Sequence, residues 1–209
     1  MKIFNFDNSS GNFTLLVDIL FTGILWLLCC IPIVTIGPAS TALYYAIVKS
    51  VRHGRGHAGR EFLGAFKANL KSSLIVWLLY LLLIALWLGG TVANGSVSEG
   101  GMMGLLSLLL IIPFALPLPW VFAYISRFEN SVADTLKFSL LLSVKNLART
   151  VLLLMTAAAF ALVAWMFPAL IPLLPGFCCL VMSFQTEPVF KLITQEMDSD
   201  GNEDKWYNE

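Results

Sequence analysis

Few residues in this chain could do chemistry, and several of them cluster where an apolar stretch is interrupted. The run Pro32-Ile33-Val34-Thr35-Ile36-Gly37-Pro38-Ala39-Ser40-Thr41 sets two prolines and a glycine inside such a stretch. A helix broken in hydrocarbon exposes backbone N–H and C=O groups, which is costly unless protein or water satisfies them. A second helix starting at Pro38 would aim its positive dipole end, with the Ser40 and Thr41 hydroxyls, into the break. Discontinuous helices hold polar or anionic groups in this way. Thr35, Gly37, Pro38, Ser40 and Thr41 are therefore the candidate ligand-binding residues. The same residues also have an architectural reading. Gly37-Pro38 turns the chain between packed helices, with Thr35 and Ser40 as caps.

Two acids lie in or beside apolar runs, Asp18 and Glu187. Intramembrane acids are candidates for function. Asp18 also suits an interfacial or helix-terminal charge, and Glu187 a structural ion pair with Arg127 or Arg149. Neither has a second acid or a histidine at helical spacing, so no proton relay is expected. His53 and His57 stand four apart, a spacing that could share a metal on a helix. Gly54 and Gly56 break that helix and no third ligand is near, so the expectation is a metal-free loop. Cys29-Cys30 and Cys178-Cys179 are vicinal pairs in apolar surroundings, without the C-x-x-C spacing of zinc or redox work. No nucleophile–base–acid order and no phosphate cradle appears. The chain reads as non-enzymatic, with no cofactor and no metal.

The elements that must carry these residues are legible from charge spacing. Of 209 residues, 58% are hydrophobic and 12% charged, with mean hydropathy +0.81. Soluble domains carry about a quarter charged residues. No charge occurs between Lys71 and Glu99, between Glu99 and Arg127, or between Arg149 and Glu187. A membrane-crossing helix needs about 20 apolar residues. The expected fold is therefore all-α, a polytopic integral membrane helical bundle, and a soluble globular enzyme is excluded. The net charge is formally zero, which offers nucleic acid no basic face.

Phe13 to about Ile36 reads as a first, retained apolar segment, too long for a signal-peptide core. A second helix follows from Ala39 to about Arg52. Residues 60–71 read as a helix lying in the membrane interface, with Phe62, Leu63, Phe66 and Leu70 on one face and Lys67 and Lys71 on another. Residues 72–92 form a span. Residues 102–125 return, kinked or unwound by Pro113, Pro117 and Pro119. Residues 126–149 are amphipathic, 150–167 cross, Pro168 to Gly176 turn, and 177 to about 193 come back. Residues 1–195 form one domain, with a parallel repeat over 60–129 and 131–187 as an expectation. Residues 196–209 form an acidic tail.

The loops 49–71 and 126–149 hold ten of the 13 basic residues. The positive-inside rule makes them cytoplasmic, together with the C-terminus, in a multi-pass cell-membrane protein. Residues 19–48 are uncharged and would reach about 45 Å as one helix, more than one span and less than two. The reading is five full transmembrane helices plus a short re-entrant or oblique helix. Six spans is the alternative, and it would reverse the side of the N-terminus.

The segment around the break resembles the signature of the YesL-like family of uncharacterised bacterial integral membrane proteins. The resemblance runs through Leu25-Trp26-Leu27, then Pro32, Thr35, Gly37, Pro38, Ala39, Ala42, Leu43 and Tyr44, and later Phe62, Ala65, Phe66, Lys67 and Asn69. It is specific over residues 20–75 and compositional beyond. That family has no assigned activity. In Gram-positive bacteria its genes stand beside carbohydrate uptake systems and their sensor-regulator pairs. The resemblance implies a non-enzymatic accessory or regulatory partner of a carbohydrate ABC transporter or sensor kinase. The alternative is a small transporter or channel, a homo-oligomer with its site at the broken first helix.

Overall fold

The computed structural model describes residues 9–52, 57–93, 113–128 and 131–198. His53, the Gly54–Gly56 loop, the 94–101 loop, the first part of the third expected span, Glu129 and the tail beyond Asp198 lie outside the described residues. Among the described residues the chain is all helix and turn, with no strand. The helices are α1 (Ser9–Cys29), α2 (Ile36–Ala46), α3 (Ala58–Ala93), α4 (Leu118–Ile125), α5 (Val132–Lys145), α6 (Leu147–Met166) and α7 (Leu174–Asp198). A 3-10 turn, Ile33–Thr35, precedes α2, and a π-helical segment, Ile47–Arg52, extends it.

Two helices are long and apolar enough to cross a membrane, over Ala58–Val92 and Leu147–Met166. Both turn apolar side chains outward, among them Leu82, Leu86 and Val92 on α3 and Met155, Leu162 and Trp165 on α6. A water-borne core helix would hide such residues.

The expected interfacial helix over 60–71 does not stand alone. It is the first part of α3, which continues unbroken for 36 residues, about 54 Å. Its expected apolar face is divided. Phe62 is fully buried and stacks on Phe66 with ring centroids 6.3 Å apart, whereas Leu63 and Leu70 are exposed with Lys67 and Lys71. Phe62 packs against a protein core rather than a bilayer surface. The second expected unit differs here: its chain breaks at Asn146, between α5 and α6. The proline-rich return is interrupted as expected, at Leu116–Pro117, before α4 begins.

The centre of the molecule is α2, which packs against α1, α3, α4 and α7. Gly37, Pro38, Ala39, Thr41, Ala42, Leu43, Tyr44 and Ala46 are all buried. The segment runs back along α3, from Gly37 beside Ser73 and Trp77 to Lys49 beside Glu61. Helix α1 lies along α3 in the other sense, with the Phe21 ring against Gly59 and the Ile33 carbonyl on Trp77. Gly23 of α1 meets the Pro172 carbonyl, and Gly176 of α7 meets Ile19. Small residues at such crossings let backbones approach closely, as membrane helix pairs require.

Candidate functional site

The helix break lies at Cys30–Pro32, six residues before Pro38, and α2 starts at Ile36. Pro32 has no N–H to donate. The Cys30 and Ile31 N–H groups serve the Trp26, Leu27 and Leu28 carbonyls, and the Cys29 carbonyl is left to a side chain. Thr35 supplies the donor: its hydroxyl reaches the Cys29 carbonyl at 2.5 Å and the Pro32 carbonyl at 2.8 Å. The Trp77 indole donates to the Ile33 carbonyl at 2.7 Å. Ser40 accepts from the Trp26 indole at 3.3 Å. Thr41 donates to the Gly37 carbonyl at 3.2 Å and shares a hydrogen bond of 3.0 Å with Ser73. A Cβ added at Gly37 would stand 2.5 Å from the Trp77 Cβ. Gly37 and Thr41 thus face α3, Ser40 faces α1, Thr35 closes the break on its own carbonyls and Pro38 is buried in the first turn of α2.

A second polar group begins at Tyr44, less than one turn beyond Thr41 on the same helix. The Glu187 carboxylate, fully buried in α7, accepts from the Arg127 guanidinium just beyond α4. It also accepts from the Tyr44 hydroxyl at 2.9 Å, and that hydroxyl shares a 2.6 Å hydrogen bond with Thr186. Of the two partners the sequence offers Glu187, Arg127 is the one that pairs. Arg127 is 5% exposed and lies over the Phe190 ring. Close by, Arg52 donates to the Ser183 carbonyl at 2.6 Å and lies over the Phe184 ring. The arrangement ties α2, the end of α4 and α7 at one point. Its chemistry is that of a clamp: one buried anion neutralised by one cation and held by the Tyr44 hydroxyl, which Thr186 in turn positions.

The other sequence-derived positions are spread out. Pro32 sits in the exposed turn. Phe62 and Phe66 are in the core with Tyr44. Lys67 is exposed, and Asn69 bonds back to the Ala65 carbonyl at 3.1 Å within α3. Asp18 is half-buried in α1, within electrostatic reach of His57 rather than of Glu187. Lys49 pairs with Glu61 at 2.8 Å. Burial opposes the Lys49 charge, but hydrogen bonds to Glu61 and Tyr45 outweigh it and hold the ammonium above the ordinary lysine range. All four cysteines are free thiols. No group of three metal-ligating side chains occurs among the described residues.

Sequence reasoning flagged Glu187 and Arg127 but gave no role to Thr186, Ser183 or Arg52. Arg52 and Ser183 are 131 residues apart, and Tyr44 and Glu187 are 143 apart. No local pattern announces such partners.

No curated protein and no solved structure matches this chain. Residues 19–90, about a third of the chain, match a family model. Those residues hold the α1–α2 break and most of α3, and the stretch that carries the central packing is thus similar to a family described as protein of unknown function, DUF624.

Proposed function

We propose that this chain is a non-enzymatic integral membrane protein that serves as an accessory or regulatory partner of a carbohydrate uptake or sensing system. The observation that carries the non-transporting part of this reading is the packing at the break. Gly37 is pressed on Trp77, and the hydroxyls of Thr35 and Thr41 donate to the chain's own carbonyls. A transport path through that point would need room and free polar groups, so close packing there supports an accessory role over a small transporter or channel. The carbohydrate association comes from the YesL-like resemblance alone.

The finer topology belongs to the same proposal. The α1–α2 hairpin has both legs beside the N-terminal half of α3, where Arg60, Lys67 and Lys71 lie. With basic segments on the cytoplasmic side, this favours an N-terminus on the cytoplasmic side, as in the even-numbered alternative. Purification from native membranes in mild detergent tests the function. The expected result is co-elution with a membrane transporter or sensor subunit. Recovery only as a free homo-oligomer, with unaltered uptake by neighbouring transporters after deletion, would overturn it.

A further inference from the structure

Helix α5 is built inside out. Its protein-facing side is Thr135, Ser139, Leu142 and Ser143, all buried, and Ser139 and Ser143 are fully so. Its outward side carries Phe138, Leu140, Leu141 and Val144, which are 46%, 43%, 61% and 56% exposed. A helix at a water-borne surface has the reverse arrangement. Part of the polar inner face is served locally: Ser143 donates to the Leu140 carbonyl at 2.7 Å and Thr150 to the Ser143 carbonyl at 2.9 Å, whereas the buried Ser139 hydroxyl has no partner among the described residues. On the apolar outer face, Phe138 stacks on Tyr124 with ring centroids 6.0 Å apart, while Leu141 and Val144 are more than half exposed.

Lys137 and Lys145 share that outer face and are exposed, with no ion pair among the described residues. The one acid of the helix, Asp134, is engaged by the Ser131 hydroxyl at its N-terminus. The apolar face continues into α6 through Leu147, Val151, Leu152 and Met155, and α6 is itself long and apolar enough to cross a membrane. Fourteen residues make α5 about 21 Å long, too short to cross.

We propose that the outer face of α5 lies in the boundary between headgroups and acyl chains of an anionic leaflet. Phe138, Leu141 and Val144 enter the acyl region, while Lys137 and Lys145 extend their ammonium groups to lipid phosphates. Lysine stems cover apolar surface while their charges reach the headgroups, and anionic lipids attract such cations. This assignment rests on the membrane reading above, and it converts part of an expected cytoplasmic loop into a lipid contact.

The test uses the full chain, with Cys29, Cys30, Cys178 and Cys179 replaced by serine, in vesicles of phosphatidylcholine with or without phosphatidylglycerol. A spin label is placed at residue 141 or, as a control in α6, at residue 162. Collision with oxygen and with a water-soluble nickel chelate reports the depth of each. The expected result is oxygen-rich, nickel-poor behaviour at both positions. At 141 that contrast is expected to be larger with phosphatidylglycerol and largely lost in a Lys137→Gln/Lys145→Gln variant. Nickel access at 141 with a lipid-exposed 162 would overturn this inference and spare the membrane reading. Nickel access at both would overturn both. Spin–spin broadening at 141 would mean that a second copy covers the face instead, and an unchanged contrast in the double variant would remove the role of anionic lipid.

Discussion

At the scale of single residues, the Arg127–Glu187 pair with Tyr44 is where one substitution would strand a buried charge. Both ions are almost wholly buried. An isolated buried charge is far costlier than a paired one, so removing one partner is expected to cost about 3–5 kcal/mol. Glu187→Gln should lower thermal stability in detergent by that order. An Arg127→Met/Glu187→Leu double variant should cost much less than the two single changes added together, because neither charge is left alone. Additive losses in that cycle would show that the pair is not coupled. Sequence made Glu187 conspicuous because an acid beside a charge-free run of apolar residues needs a reason. The sequence could not choose between Arg127 and Arg149. That choice depends on where α4 ends relative to α7, which no local spacing encodes.

At the scale of elements, the contact between α2 and α3 determines how the break is used. The glycine at 37 is required by closeness: its Cα faces the Trp77 Cβ and the Ser73 carbonyl, at 2.5 Å and 3.0 Å from the place a methyl group would take. Both obstacles are fixed to a helix backbone and cannot swing aside. Gly37→Ala is therefore expected to destabilise the protein by about 1–3 kcal/mol, the usual range for overpacking. A thermal melt in detergent would measure it, and an unchanged midpoint would contradict the packing. A break in an apolar stretch was legible from Pro32 and Gly37-Pro38. The break lies at Pro32, which cannot continue the helix before it, whereas Gly37-Pro38 falls inside the first turn of α2, where proline is tolerated, so that helix starts at Ile36 rather than at Ala39. The interfacial helix over 60–71 failed for a related reason. An apolar stripe beside lysines suits a bilayer surface and a protein core equally well, and the stripe cannot say which partner is present. The tertiary fold sends Phe62 inward and leaves Leu63 and Leu70 outside.

At the scale of the whole molecule, the question is which side each end occupies. The return of α2 along α3 predicts that the N-terminus shares a side with the basic segments. In a cysteine-free background, a single cysteine at Ser10 should resist a membrane-impermeant maleimide in intact cells, while one at Ser96 should react. External labelling at Ser10 would overturn the hairpin reading of topology and leave the crossing of α3 and α6 untouched.

Charge spacing in the sequence was enough to determine an all-helical chain with helices able to cross a membrane, because burying charge in hydrocarbon is so costly that its absence over long runs is itself a signal. It also marked the proline break and the unusual acid. Only the tertiary structure decided that α2 is the buried centre of the packing, that Tyr44 and Arg127 converge on Glu187, and that α5 carries its hydroxyls inward. These outcomes join residues 60 and 143 positions apart or depend on which face a neighbouring helix covers. Helical periodicity records that a face is apolar, but not what lies against it.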